Sequence, residues 1–446
     1  MQARTSKLQN VFRNGEPAEV AAAFAGEHPA DLADALQEME PGDAWIALRQ
    51  ADPGCQADVF GYLEPGFQTS LAMVTPRADL AAIVMEMKAD ERVDLYKGLS
   101  DEQREALMPA LAHAEREDIR RLSSYAEGTA GAIMTSDYAA LSPDLSATTA
   151  LTVLRMEAPD KETINRAYVI GQDRSLLGSV RLQDLITAPV HANVADIMEV
   201  NTHAIHVDDD VEDAARRIAH YDVIALPVVD DGGRLVGIIT HDDALDVMEA
   251  EATDDFHRVG TVTNLASSVG TASIAMLYRA RIAWLMLLVF GNIFSGAGIA
   301  YFEDTIAANL ALMFFLPILI ASGGNAGSQS ATLMVRALGT GEIGAADWSR
   351  MLGRELAVGI LLGLSMACAI AAIGVLRGGP QIALVIALSM VLIVLVGSLI
   401  GMLLPFALSR FKMDPATAST PLVTSIADAT GVLIYFSIAK SILVMP

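Results

Sequence analysis

The feature that most constrains this chain is a series of long uncharged apolar stretches beyond residue 280. Residues 282–302, 305–335, 356–376 and 378–409 contain no Asp, Glu, Lys or Arg, and residues 415–439 contain only Asp428. A helix needs about 20 apolar residues to cross a bilayer, and soluble core helices rarely sustain such lengths. The expectation is a lipid-embedded domain of five helical spans over residues 277–446. Basic residues orient it. Arg279, Arg281, Arg336, Arg350, Arg354, Arg410 and Lys412 fall on one side, against Arg377 and Lys440 on the other. The richer side faces the cytoplasm. That places the N-terminal domains inside and, after an odd number of spans, the C-terminus outside.

The rest of the chain is different in kind. Residues 281–446 hold 8 Lys+Arg and 7 Asp+Glu, which leaves 22 Lys+Arg and 47 Asp+Glu for residues 1–280. An acidic soluble half therefore precedes a nearly neutral apolar half. The balance argues against nucleic acid as a partner, because phosphate binding needs a basic face; cations are favoured. Cys55 and Cys368 lie in different halves and suggest neither a disulfide framework nor a Cys-based zinc site. The N-terminal segment has no apolar core of the secretory type.

Residues 1–130 read as an all-α domain of short helices. Leu32, Leu36 and Met39 keep helical spacing, as do Leu80, Ile83, Val84 and Met87, with Pro–Gly punctuation between helices. DLADALQEM (31–39) is echoed by DLAAIVMEM (79–87), an offset of 48 residues that suits a stack of helix pairs. Residues 131–252 turn to α/β. Ile133-Met134, an extended run and a helix are repeated 64 residues later from Ile197-Met198. Strand–turn–strand follows in both copies, AYVIGQDRSLLGSVRLQDL and ALPVVDDGGRLVGIITHDDAL. This repeat resembles a tandem pair of CBS domains, which implies a sensor module. Residues 253–276 lead to the first span and are expected to form a long connecting, plug-like helix at the cytoplasmic mouth.

Two groups of residues carry the chemistry. Residues 199–255 hold 16 acidic side chains against Arg216, Arg217 and Arg234. Crowded carboxylates repel unless protonated, separated or bridged by a cation, and Mg²⁺ and Ca²⁺ take oxygen ligands. Asp243, Asp246 and Glu249 share one helix face, and Glu251, Asp254 and Asp255 continue it. A solvated acidic surface is the plainer reading. The second group is in the membrane. Asp428 sits near mid-membrane, where a carboxylate is costly and usually faces a cavity or ion path. Thr424, Ser425 and Thr430 flank it. Span two carries Gly323, Gly324, Asn325, Ser328 and Gln329, where glycines weaken the helix and polar groups suit a hydrated ion, or where small residues allow close helix packing. Asp414 precedes Pro415, a common helix-start device.

Residues 317–338 (PILIASGGNAGSQSATLMVRAL), residues 414–436 (DPATASTPLVTSIADATGVLIYF) and AGAIMT at 130–135 resemble the MgtE family of magnesium channels and transporters. The domain order matches as well. The resemblance implies a non-enzymatic homodimer in the cell inner (plasma) membrane, with the pore between the two membrane halves. It implies Mg²⁺ as both transported and regulatory ion, with Asp428 as the pore carboxylate and Asp414 at its cytoplasmic end. The pore lining would include Gly323, Gly324, Asn325, Ser328, Gln329, Thr424 and Ser425. The regulatory carboxylates it implies are Asp58, Asp90, Asp94, Asp210, Glu212, Asp222, Asp243, Asp246, Glu251, Asp254 and Asp255. Cytosolic Mg²⁺ bridging these would close the channel. Some members bind ATP with aromatic rings near the nucleotide. Arg166, Gln183 and Val223 stand at the matching places here, and only Asp184 looks retained, which leaves ATP regulation doubtful. The alternative function is a proton-coupled divalent cation carrier with Asp428 as the protonated group. An intramembrane aspartyl protease needs two carboxylates sharing a site, and one chain supplies only Asp428 at that depth.

Overall fold

The computed structural model describes residues 2–200, 202–262, 272–418 and 420–443. The chain divides into two compact units, Met1–Ala250 and Glu251–Pro446.

The first unit opens with short helices whose starts recur every 12 residues, at Pro17, Pro29, Pro41, Pro53, Pro65, Arg77, Ala89, Asp101 and His113. Proline opens the first five, at a position where its fixed φ suits the helix and its missing N–H is not needed. Each helix packs on the next but one, as Pro29–Gln37 does on Pro53–Gly61 and Pro65–Val74 on Ala89–Gly98. Leu32, Leu36, Leu48, Phe60, Leu71, Ile83 and Leu95 from successive helices are fully buried in a shared core. The echo between residues 31–39 and 79–87 is therefore four periods of a single-helix winding, not one period of helix pairs.

The two α/β copies follow, each a three-stranded sheet. In the first, β1 (Tyr138–Leu141) runs parallel to β2 (Thr163–Ile170), which pairs antiparallel with β3 (Leu176–Arg181). In the second, β4 (Ile205–His206), β5 (Ala225–Val229) and β6 (Leu235–Thr240) repeat the same order and directions. The copies dock through buried tyrosines. Tyr138 donates to the Leu235 carbonyl at 3.1 Å, and Tyr168 donates to the Ala225 carbonyl at 3.2 Å. The helix His241–Val259 then runs through the expected boundary at residue 252 without a break. Of the expected connecting helix over 253–276, residues 263–271 lie outside the described residues. Its first part belongs to His241–Val259, and Ile274 already begins span one.

In the second unit, span one is Ile274–Tyr301, span two Ala311–Gly339 and span five Thr420–Ile442. Glu303–Ala308 forms a separate short helix, so span two starts later than the uncharged stretch from residue 305 suggests. Trp348–Arg410 is one continuous helical assignment of 63 residues. At 1.5 Å per residue that is roughly 95 Å, about three bilayer cores. The length resolves at Gly379, where φ is 79° and ψ −179°. Only glycine enters that region without strain, and Pro380 after it supplies no N–H to continue the ladder. The halves 348–378 and 380–410 fold back on each other. A Cβ on Gly374 would lie 2.9 Å from Ala383 Cα, and one on Gly363 2.9 Å from Val391 Cα. These are spans three and four. Among the described residues five spans result, in an all-α membrane domain.

Span two is unbroken from Ala311 to Gly339 despite Pro317 and its glycines. The expectation that Gly323 and Gly324 weaken this helix is corrected: the glycines serve contact. A Cβ on Gly327 would lie 2.7 Å from the Gly397 carbonyl oxygen, and methyl groups on Gly397 and Gly401 would run into the carbonyls of Gly323 and Gly327. Spans two and four thus cross in parallel, backbone against backbone, through small residues at i and i+4 on both helices.

Candidate functional site

Span five lies antiparallel on span two and presents Thr424 and Asp428 to it, one turn apart. The Ser328 and Thr424 hydroxyls are 3.2 Å apart. A Cβ on Gly324 would lie 2.9 Å from Thr424 Cγ2 and 3.6 Å from Asp428 Oδ1. Gly324 is bare because these two side chains lie over it. Asp428 Oδ1 is buried and has no hydrogen-bond partner among the described residues. An unpaired carboxylate oxygen inside apolar packing is expensive, whether charged or protonated. Asn325 and Gln329 are exposed on the same helix, and Ser328, Gln329, Thr332 and Leu333 line a shallow groove. Ser425 is half-buried on span five. Gly323 faces Ile393 on span four instead.

At the start of span five, Asp414 does two jobs. Its Oδ1 accepts from the Ala416 N–H at 2.8 Å, capping the turn Pro415–Thr417, so the helix-start reading is correct. Its Oδ2 pairs with Arg258, which also bridges to Asp254. Asp255 lies close by, and its pKa is raised by burial and then by Asp414, with Arg258 relieving it. Asp254 Oδ1 is buried without a partner among the described residues.

The first unit holds a second acidic group, at the seam between the helical winding and the CBS pair. Asp90 opens the helix Ala89–Gly98, and its Oδ1 is buried without a partner among the described residues. Burial first, then Asp243, Glu162 and Glu91, push its pKa to about 8. Burial also lifts Glu91 to about 7, with Lys88 relieving it and Glu162, Asp58 and Asp243 adding to it. Asp243 rises to about 6, chiefly through burial, although the Thr240 N–H donates to it at 3.2 Å. One cation meets them: Lys88 Nζ lies 2.7 Å from Glu162 Oε1. Burial works against its ammonium, yet Glu162, Glu91 and Asp90 raise its pKa overall.

The other predicted carboxylates are not all part of these groups. Asp94 and Asp246 are raised, each mainly by burial. Asp210 caps the helix Val211–Tyr221 by accepting from the Glu212 N–H at 2.8 Å. Glu212 pairs with Arg216 at 3.4 Å. Asp222 ends that helix at φ 52°, a left-handed position that Asp tolerates. Glu251 is half-buried on His241–Val259. Among the described residues, no three carboxylate, histidine or cysteine groups are close enough to hold a metal ion directly. Sequence reasoning missed Lys88, Glu91, Glu162 and Arg258. Arg258 was legible as the i+4 partner of Asp254. Lys88 and Glu162 are 74 residues apart and gave no local signal.

Arg166, which stands where the family resemblance implies a nucleotide contact, donates to Ser179 Oγ at 2.6 Å and to Glu199 Oε2 at 2.8 Å. Asp184 is held in a two-pronged pair by Arg181 at 2.8 and 2.9 Å.

Fold and sites together define a multi-span helical membrane protein with soluble N-terminal domains. Residues 316–438 match the family described as a divalent cation transporter (MgtE), residues 27–128 the MgtE intracellular N domain, and residues 130–191 and 194–250 the CBS domain. The chain is 41% identical over 328 residues to the magnesium transporter MgtE of Thermus thermophilus, covering 74% of this chain and 73% of that protein. It is 31% identical over 357 residues to the magnesium transporter MgtE of Bacillus subtilis, covering 80% and 79%. The crystal structure of the soluble part of a magnesium transporter superposes with a TM-score of 0.53 at 30% identity, covering 56% of this chain and 99% of that one. The cytosolic domain of the Mg²⁺ channel MgtE in complex with ATP superposes at 0.52 and 32% identity, covering 55% and 99%. The chain belongs to the MgtE family.

Proposed function

We propose that this protein conducts Mg²⁺ into the cytoplasm through the inner (plasma) membrane, as a homodimer, and that cytosolic Mg²⁺ closes it. The observation that carries the reading is the buried, unpartnered Oδ1 of Asp428. In a dimer whose path runs along the span two–span five face, two copies of Asp428 meet one permeating ion. Mg²⁺ sheds water reluctantly, so carboxylates and hydroxyls holding it through its hydration shell suit it better than a closed shell of direct ligands. Asn325, Ser328, Gln329, Thr424 and Ser425 supply the remaining oxygen and amide groups, and Gly323 and Gly324 the close packing that fixes them. The N-terminal domains lie in the cytoplasm and the C-terminus outside.

The acidic seam fits a regulatory divalent cation. Asp90 and Asp243 repel each other in a buried site, and Asp90 Oδ1 lacks a partner among the described residues. Asp90 and Asp243, supported by Asp58 and Asp94, would hold one ion there; Asp246, Glu251, Asp254, Asp255 and Asp414 would serve at the connector. Asp210, Glu212 and Asp222 are the outer members of the set. A bound cation supplies the positive charge that lets the carboxylates stay ionised and close together. At low Mg²⁺ their repulsion separates the domains, and the differential affinity of Mg²⁺ for the closed arrangement drives closing. Arg166 is engaged with Ser179 and Glu199, and Asp184 with Arg181, so a nucleotide there would have to displace these pairs.

The test is Mg²⁺ uptake into proteoliposomes, read by an internal Mg²⁺ dye, for wild type and Asp428→Ala at low and high Mg²⁺ on the N-terminal side. Uptake that requires Asp428 and stops at high Mg²⁺ supports the reading. Wild-type silence at every Mg²⁺ level, or equal uptake by the variant, removes it.

A further inference from the structure

The end of the helix His241–Val259 is fastened to the membrane unit by contacts of two kinds. Val259 packs in an apolar cluster with Val335 of span two, Leu404 and Leu408 of span four, and Ala416 and Ala418 ahead of span five. Beside it, Arg258 bridges two carboxylates, Asp254 one helical turn back and Asp414 at the mouth of span five. A planar guanidinium is suited to such a bridge, because its donors point in fixed directions to two acceptors at once. Both oxygens of Asp414 are engaged here, one by Arg258 and the other by the cap on the Pro415–Thr417 turn. Three carboxylates, Asp254, Asp255 and Asp414, thus face one guanidinium, which leaves a formal charge of −2, the charge of one divalent cation of opposite sign.

We propose that Arg258 is a positioning residue for gating: a tethered cation that latches the connector helix onto Asp414 at the cytoplasmic end of the ion path. The inference rests on the reading of the protein as a cation channel closed by its connector, and assigns the closing contact to a side chain of the protein in addition to any bound ion. Arg258 supplies one positive charge permanently, so a divalent cation need neutralise only the remainder. A cation leaving the path past Asp414 competes with the guanidinium for the same oxygen. Opening therefore includes release of Arg258 from Asp414, and closing includes its return.

The experiment uses the full-length chain. Arg258→Gln removes the charge and the fork; Arg258→Lys keeps the charge and loses the fork. In proteoliposomes, Arg258→Gln is expected to raise the Mg²⁺ concentration for half-closure by about five- to tenfold, with uptake at low Mg²⁺ retained, and Arg258→Lys to fall between it and wild type. A second readout does not depend on flux. In EDTA and detergent, hydrogen exchange of the 251–262 peptide is expected to quicken in Arg258→Gln and in Asp414→Asn, with no further gain in the double variant. Half-closure and exchange both unchanged from wild type in Arg258→Gln would overturn the latch. Should Arg258→Gln fail to assemble, Arg258→Lys reads the same shifts at smaller amplitude. A wild type that does not conduct would refute the channel reading, while the exchange arm would still decide whether Arg258 fastens the connector.

Discussion

Replacing Asp90 by Asn probes the acidic seam with a reversal of sign that few other accounts produce. Asp90 titrates at about 8 in the folded chain against an ordinary 3.8, because burial and the neighbouring Asp243, Glu162 and Glu91 all oppose its charge. For a carboxyl raised in this way, the folded state binds the proton more tightly than the unfolded state. Stability is then whole below about pH 4 and is lost as pH rises toward 8. At about 1.4 kcal/mol per pH unit, the limiting loss at pH 7.5 is about 5 kcal/mol. Glu91 and Asp243 titrate in the same range and are electrostatically coupled to Asp90, so the realised loss is smaller, on the order of 2 kcal/mol. Asn has the same shape and never ionises, so Asp90→Asn should recover that amount in metal-free protein. The assay is hydrogen exchange of the helix Ala89–Gly98 in full-length protein in detergent with EDTA at pH 7.5. A gain of 2 kcal/mol slows exchange by roughly 30-fold. With millimolar Mg²⁺ the order should invert, because wild type gains a cation that the amide cannot hold. Faster exchange in Asp90→Asn without metal would refute the reasoning, since it would mean the carboxylate is stabilising on its own.

Lys88→Gln should act in the opposite direction at the same seam. It removes the ammonium 2.7 Å from Glu162, so exchange in Ala89–Gly98 should quicken in EDTA and return to wild-type rates in Mg²⁺; an unchanged rate in EDTA would show that Lys88 plays no part. In the membrane unit, Gly401→Val should destabilise by about 1–3 kcal/mol or more, because its side chain enters the Gly327 carbonyl. Thermal melting in detergent should fall by several degrees, while Gly353→Ala, with nothing near its Cβ position, should melt at or slightly above the wild-type temperature.

What could be read from sequence divides along physical lines. Spanning helices announce themselves by composition alone, and Arg377, the one charge between residues 356 and 409, marks the reversal between spans three and four two residues from the turn at Gly379. The α/β repeat was legible because each copy carries the same order of strand, turn and helix. The 12-residue winding was harder. Proline marks only its first five starts, and the later starts at Arg77, Ala89, Asp101 and His113 share no residue type. Asp428 stood out as the lone charge in an apolar span, yet its contact with Gly324 depends on two helices 100 residues apart. Carboxylate counts could not separate Asp90, which is buried against Asp243, from Asp210 and Asp222, which cap and end a helix. Lys88 meeting Glu162 is a long-range pairing that only the fold discloses.

The most direct test of the central claim is electrical. Full-length protein in a planar bilayer, with a Mg²⁺ gradient and an opposed pH gradient, should carry a current that reverses at the Mg²⁺ equilibrium potential. That current should vanish in Asp428→Asn and close when Mg²⁺ is added on the N-terminal side. A reversal potential that follows the pH gradient, or an Asp428→Asn variant that conducts as wild type does, would contradict the account and point to a proton-coupled carrier or to an ion path elsewhere.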